Sequence, residues 1–462
     1  MRTVISLGKS HDECFQGDLA DIIPYHRMNG KEYCVPALIA YQEAELSQLR
    51  EASEGIHRIY WKVLRFTQNY LPDSFIEQYL GVNPALIPLA RLETPSHGIS
   101  RLDWIVNEHG MKCIENNSDT PTGVPETAYA ANALLNLFNS MNNDRLVESE
   151  ANTSTSSDMP QLIGNAFAQL VEFYRAQGAD GSIVFTSYDW HVEDAANTQY
   201  IMTCLQNQGY EASYVPLAEL ELVPGEGLYA NGQRIGILYR LYPLEYIVHD
   251  VDDTGSRNIG LDLLQLVEQG KLSLINPGQS ILMQSKGFMA LIWSLYERRE
   301  ETEQYCGFQL LSDEDIAVIE TYLLPTYFEN SVFEDGQLPY VAKGLWGREG
   351  KGTMIYAGSE KQAPSYASQS QPQSSQIDEQ ELDYYNNQRK IYQRYFPLEK
   401  VEIMTEDGPY RGYLLTGAFV IGGKFAGLLP RVGEQITGDM AYYCPALVKI
   451  NLGGSRNEAI FN

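Results

Sequence analysis

"RLDWIVNEHGMKCIENNSDTPTG", residues 101–123, holds two strand-like runs around a polar turn. A three-residue turn, Glu108-His109-Gly110, places a glycine where left-handed backbone is wanted. Pairing Asn107 with Met111 then sets Asp103 opposite Glu115 and Arg101 opposite Asn117, and alternation along the strands puts all four on one face. Ile105, Met111 and Cys113 share that face, while Leu102, Trp104, Val106 and Ile114 take the other. The register rests on the turn, because a two-residue turn separates Asp103 and Glu115 onto opposite faces. Directly opposed residues have Cβ atoms about 4.5–5.5 Å apart, close enough for two acids to share one cation. A solvated face laced by salt bridges satisfies the same pattern, but the apolar neighbours on that face argue against open solvent. The functional alternative is a magnesium site of oxygen ligands completed by substrate phosphates, with Asp103, Glu115 and Asn117 as the protein's share.

The rest of the chain bounds what such a site could serve. At 462 residues the expectation is two or three packed lobes rather than one core. No run approaches the roughly 18 apolar residues of a membrane span. The opening "MRTVISLGKSHDE" reaches Lys9 and Asp12 before it can build a signal's apolar region, so a cytoplasmic location is expected. Six cysteines are scattered without a C-x-x-C pair, which fits reduced thiols better than a disulfide framework or zinc. A formal charge of −27 repels phosphate backbones, so nucleic acid is a poor partner, and any bound phosphate needs a local basic pocket.

Periodicity predicts a helix over 36–70, through Leu38, Ile39, Leu46, Leu49, Ile56, Tyr60 and Trp61. Two polar stretches, 139–160 and 358–383, read as mobile loops. From Leu162, helix-like "GNAFAQLVEFYRAQG" and "TQYIMTCLQNQGY" alternate with strand-like "SIVFTSY", "EASYVPL" and "RIGILYRLYPLEYIV", the signature of an α/β lobe. The last third carries the strand "TMIYAG", the helix-like "YYNNQRKIYQRYF" and the strands of "RGYLLTGAFVIGGKFAGLLPR", which predicts an α+β lobe.

"YVAKGLWGREGKGTMIYAG" adds Gly344, Gly347, Gly350 and Gly352 among Lys343, Arg348 and Lys351. Glycines let backbone N–H groups approach phosphates, and the cations neutralise them. The loop is not a G-x-x-x-x-G-K-[ST] phosphate loop, because Gly352 stands at the hydroxyl position and a strand follows. Taken alone it is equally a hairpin turn; paired with an acid cluster it suggests nucleotide chemistry.

These two stretches, with "LMQSKGFMALIWSLYE" and "LYRLYPLEYIVHD", resemble the glutathionylspermidine synthase family of ATP-grasp ligases over roughly residues 15–450. The resemblance implies an ATP-grasp-like α/β and α+β fold in permuted order, with a pre-ATP-grasp-type α/β lobe and a partly helical N-terminal region. It divides the chain into that N-terminal region (about 1–96), a metal-site hairpin segment (97–138), the α/β lobe (162–265) and an ATP-grasp-type lobe (270–455) interrupted at 358–383. ATP and magnesium are implied as cofactors, with a small-molecule carboxylate and an amine as partners. In "RLD", Arg101 matches an arginine that stabilises the transferring phosphate and Asp103 a magnesium ligand, with Leu102 where the family has phenylalanine. Glu115 and Asn117 match the E-x-N magnesium ligands. Thr120 falls where a hydroxyl touches the thiol-peptide substrate, and Glu193 with Asp194 resembles an acidic pair near the substrates. Lys286 and Lys343 match ATP-contacting lysines, with Gly347, Arg348 and Gly350 in the phosphate-covering loop. Arg431 resembles a late active-site arginine, although the serine of that "RES"-type motif is missing and Gly433 separates Val432 from Glu434.

The implied activity is ATP-dependent joining of a peptide-like carboxylate, such as glutathione, to an amine, such as a polyamine. A phosphotransferase that stops before the amine, and a nucleotide-binding regulatory protein, use the same parts. "VHDVDDTG", with Asp250, Asp252 and Asp253, reads as an exposed acidic turn. No cysteine and histidine pair of the amidase type found in bifunctional family members is apparent.

Overall fold

The computed structural model describes residues 2–142, 150–357, 360–361 and 387–451. Its centre is an antiparallel sheet ordered Tyr442–Tyr443, Lys424–Gly433, Gly408–Ile421, Ile99–Asn107 and Gly110–Asn117, with Lys400–Thr405 also paired to Gly408–Ile421. The hairpin Ile99–Asn117 thus sits at one end of a sheet whose other strands come from residues 400–443. Leu102, Trp104 and Val106 turn one face into the main core. The 28-residue helix Glu43–Tyr70 joins that core, because Leu49, Ile56, Tyr60 and Val63 recur at helical spacing and are buried.

The hairpin's turn differs from the expectation. Asn107 pairs with Gly110, so the loop is the two-residue Glu108-His109, and Trp104 pairs with Cys113. A β-bulge between Trp104 and Asp103 then inserts Ile114 and restores the pairs Asp103–Glu115 and Arg101–Asn117. Two errors in the assumed register therefore cancel at the acids but not nearer the turn. Met111 and Cys113 lie with Trp104 in the core, and Ile114 faces the cleft.

A second sheet has a parallel heart: Gln233–Arg240 pairs in parallel with both Ser182–Thr186 and Ser273–Ile275, and Ser182–Thr186 with Ser213–Tyr214. The helices Met159–Ala176 and Val192–Gln206 follow the predicted alternation. A third sheet, Thr326–Tyr327, Lys390–Arg394, Tyr340–Gly344, Met354–Ala357 and Glu360–Lys361, is antiparallel and carries the glycine loop as a hairpin connection. A fourth joins Val4–Ser6, Ala37–Gln42, Ala446–Asn451 and Glu150–Ser154, tying the first residues to the last.

Three expectations are corrected. Residues 37–42 of the expected 36–70 helix form a strand, since "ALIAY" is buried throughout between two neighbouring strands and a continuous apolar run has no period to separate helix from strand. The expected loop 139–160 contains the end of a helix and the strand Glu150–Ser154, which pairs with Ala446–Asn451 despite its polarity. Within the helix-like 384–396, Lys390–Arg394 is a strand with alternating burial: Ile391 and Gln393 face inward. The expected mobile loop 358–383 lies outside the described residues except for Glu360–Lys361, a short strand pairing with Met354–Ala357.

Candidate active site

A cleft of about 620 Å³ opens where the central sheet, the glycine-loop sheet and the helix Val192–Gln206 meet. Every residue to which the family resemblance assigns a role lines it: Arg101, Asp103, Glu115 and Asn117 from the hairpin; Thr120 just beyond it; Glu193 and Asp194; Lys286; Lys343, Gly347, Arg348 and Gly350; and Arg431. The cations among them form a local basic lining within a protein of net charge −27.

Asp103 is the hub. Its Oδ1 accepts from Arg101 Nε at 3.1 Å, and its Oδ2 accepts from Arg431 Nη2 at 3.0 Å and Asn117 Nδ2 at 3.3 Å. Burial pushes its carboxyl up, but the two guanidiniums more than offset this and hold it below its usual range. Arg101 also donates to the Thr122 carbonyl at 2.8 Å, which fixes its side chain along the sheet. Arg431 reaches Asp103 because Leu415 pairs with Arg431 on one side of its strand and Gly417 with Asp103 on the other.

Gly417 is one of the positions the sequence reading missed. A Cβ there would meet Arg101 Cδ at 2.9 Å and Leu429 Cβ at 3.2 Å, so the arginine lies over bare backbone. A glycine inside the strand-like "LLTGAFV" is the signal for such close approach. Gly417→Ala should displace Arg101 and lower turnover about tenfold, an effect of the order expected from a small misplacement of a reacting group. Parent-like turnover in a folded Gly417→Ala protein would contradict this packing role.

Lys286 Nζ bridges the hairpin and the glycine loop, donating to Glu115 Oε1 at 2.7 Å and to the Gly347 carbonyl at 2.5 Å. Lys343 Nζ donates to the Ile114 carbonyl at 2.9 Å and Gln393 Oε1 at 2.8 Å. Burial, aided by Lys286 and opposed by Glu115, pulls its pKa down to about 8. Arg348 projects from the loop onto Glu245 Oε1 at 2.9 Å, with Thr120 Oγ1 at 3.4 Å. Gly350 has φ +72°, one of the left-handed turns that fold the loop over the cleft.

The fully buried pair Asp119–Arg240 was also missed. Arg240 donates from Nη2 to Asp119 Oδ1 at 2.5 Å and from Nη1 to Oδ2 at 3.1 Å, while Oδ2 accepts from the Leu244 amide at 3.0 Å. This anchors the turn carrying Asn117 and Thr120 to the parallel sheet. A lone arginine inside the apolar run "IGILYRLYPL" is the sequence signal, since such a charge requires a buried acid. Glu126 is a further missed carboxylate, held by the hydroxyls of Tyr25 at 2.8 Å and Tyr33 at 3.0 Å.

The donor set of Asp103, Glu115 and Asn117 is all oxygen, the kind a hard divalent cation takes. Asn117 commits Nδ2 to Asp103 and the Arg101 carbonyl, and among the described residues no donor occupies its Oδ1 or Glu115 Oε2. Asn117 Oδ1 and Glu115 Oε2 thus suit a hard divalent cation such as magnesium, whereas Asp103, whose oxygens both accept from Arg101, Arg431 or Asn117, could join them only by giving up one of those bonds. His11, Asp12 and Glu406 form another acidic group, but Arg27 already bridges the two carboxylates and none of the three lines the cleft.

Residues 21–449 match the model of the glutathionylspermidine synthase preATP-grasp family. A Haemophilus influenzae protein carrying the name of an acid–amine ligase is 20% identical over 408 residues, 87% of each chain. A glutathione synthetase-like effector from Globodera pallida superposes with a TM-score of 0.53 over 88% of each chain at 10% identity, a likeness of mixed α/β fold. No helix of the described residues is long and apolar enough to cross a membrane.

Proposed function

Because the chain belongs to the glutathionylspermidine synthase preATP-grasp family, we propose that it is an ATP- and magnesium-dependent ligase joining a carboxylate to an amine through an acyl phosphate, on a permuted ATP-grasp fold. The observation that carries the reading is the convergence on one cleft of an oxygen-ligand hairpin, a glycine loop and five cationic side chains, Arg101, Lys286, Lys343, Arg348 and Arg431. Phosphoryl transfer is mostly positioning and charge stabilisation, so it needs this set and no protein nucleophile.

Asp103, Glu115 and Asn117 would hold magnesium, which would supply neutralisation of phosphate charge. Lys286 and Lys343 would bind phosphate oxygens, and the loop of Gly347, Arg348 and Gly350 would supply backbone N–H groups and a further cation to them. Lys286 already ties the loop to the hairpin, so the cover closes on the same residues that hold the cation. Arg101 faces the transferring phosphoryl group. Arg431, whose buried Nε has no partner among the described residues, is placed to take an oxygen of the carboxylate or its phosphate. Thr120, Glu193 and Asp194 line the same cleft and are assigned to the substrates. A peptide-like acid such as glutathione and an amine such as a polyamine suit a cleft lined by both basic and acidic side chains.

The test is a screen of peptide-like carboxylates, glutathione among them, against amines, scored by ATP-dependent product mass. An amide formed only when ATP, acid and amine are all present supports the reading. A phosphorylated acid that accumulates with every amine would favour a phosphotransferase.

A further inference from the structure

We propose that Glu193 takes the proton that the attacking amine loses, an assignment that rests on the ligase reading above. Glu193 lies in the first turn of Val192–Gln206 and lines the same cleft as Arg101 and Thr122. Among the described residues no lysine or arginine pairs with it. Asp194, its neighbour, is instead matched with His191 at 3.3 Å. A carboxylate facing a substrate cleft without its own cation is suited to accept a proton rather than to hold a structural charge.

Its surroundings set both position and basicity. Glu126 lies behind it, buried, with its two oxygens accepting from the hydroxyls of Tyr25 and Tyr33; burial raises its carboxyl as well, and its negative charge, when present, disfavours a second one at Glu193. Asn197, one turn along the helix, donates to the Glu193 carbonyl at 3.0 Å and to Tyr25 Oη at 3.1 Å. Its Oδ1 accepts from the amides of Gly123 and Val124, both at 3.1 Å. The backbone bearing Glu193 is thereby tied to the segment whose Thr122 carbonyl holds Arg101. The titratable and charged groups around Glu193 are Asp194 and His191 on its own element, Glu126 behind, Tyr25 and Tyr33 from the N-terminal region, and Arg101 beyond Glu126. Burial, with Glu126 and Asp194, pushes the Glu193 carboxyl up to about 8, so its base strength far exceeds that of an ordinary glutamate.

In the step itself the amine nitrogen bonds the acyl carbon and the carbon–oxygen bond to phosphate breaks. An alkylamine arrives as an ammonium at neutral pH, so one N–H proton passes to a Glu193 oxygen to free the nitrogen lone pair, and phosphate leaves with the carbon–oxygen electron pair and carries off the second N–H proton. Glu193→Gln keeps the shape and removes the base.

Two measurements test this. In protein labelled at glutamate Cδ, the carbon signal missing from Glu193→Gln should titrate near pH 8, and Glu126→Gln should move it lower by removing the negative neighbour. Titration of that signal in the ordinary carboxylate range would overturn the assignment. With the acid identified by the coupling screen, Glu193→Gln should slow amide formation with a primary alkylamine by about 10²-fold or more. Hydroxamate formation with hydroxylamine, which is already neutral at pH 7, should stay near the parent rate. Equal losses with both nucleophiles would make Glu193 structural and sink the proposal. If the parent forms no hydroxamate with any acid, the ligase reading fails and this proposal with it, while the titration of Glu193 stands as a separate result.

Discussion

Arg101→Met should lower turnover by about 10²- to 10³-fold while changing ATP affinity far less, the loss expected on removing one preorganised electrostatic donor. The guanidinium is buried, oriented by Asp103 and the Thr122 carbonyl, and cannot become neutral at a working pH. Charge spreads over the phosphoryl oxygens as the group transfers, so a fixed cation gains most in the transition state. The alternative role is to hold Asp103 in place. In that case its loss should cost stability and nucleotide affinity together, by an amount that Arg431, which also binds Asp103, keeps small, while turnover per folded molecule stays near the parent's. Single-turnover ADP formation, nucleotide affinity and melting temperature, measured on one preparation, separate the cases. Near-parent single-turnover rates would remove the catalytic assignment.

The largest stability effect is expected at Arg240. Its side chain is about 1% exposed and that of Asp119 is fully buried, so Arg240→Leu leaves a carboxylate in the interior with only neutral donors. Breaking a buried pair from one side costs about 3–5 kcal/mol. The pH dependence has a definite sign. Burial raises the Asp119 carboxyl but Arg240 outweighs it, so the folded-state pKa lies below the ordinary value. The pair's contribution is therefore fully present above the ordinary carboxylate range and is lost as pH falls through the depressed folded value. Urea midpoints of parent and Arg240→Leu should differ most near neutrality and converge in acid. A gap that stays constant on acidification would contradict the ion-pair account.

Much of the site was legible because its chemistry is carried by side chains whose order along the chain survives folding. The hairpin and its four polar residues are marked by their spacing, although Asp103 meets Glu115 and Arg101 meets Asn117 only because the bulge offsets the shorter turn, and the glycine loop is marked by its own composition. The bulge at Ile114 was not legible, since one inserted residue leaves no trace in an alternating apolar pattern. The strands Ala37–Gln42 and Lys390–Arg394 were misread for related reasons: the first is buried on both faces and has no period, and the second is only five residues long and flanked by polar, helix-compatible sequence. The pairings Asp119–Arg240 and Gly417–Arg101 join residues more than a hundred positions apart, which spacing within a motif does not encode. Their signals were local oddities, a charge in an apolar run and a glycine in a strand.

The claim of an acyl phosphate is tested most directly by following oxygen. The acid substrate, labelled with ¹⁸O in its reacting carboxylate, is incubated with ATP, amine and enzyme, and the released phosphate is examined by mass spectrometry. If the carboxylate attacks the γ-phosphorus and the amine then displaces phosphate, each phosphate carries one ¹⁸O from the acid, with one ADP and one amide formed alongside it. Amide formed with unlabelled phosphate would contradict the account.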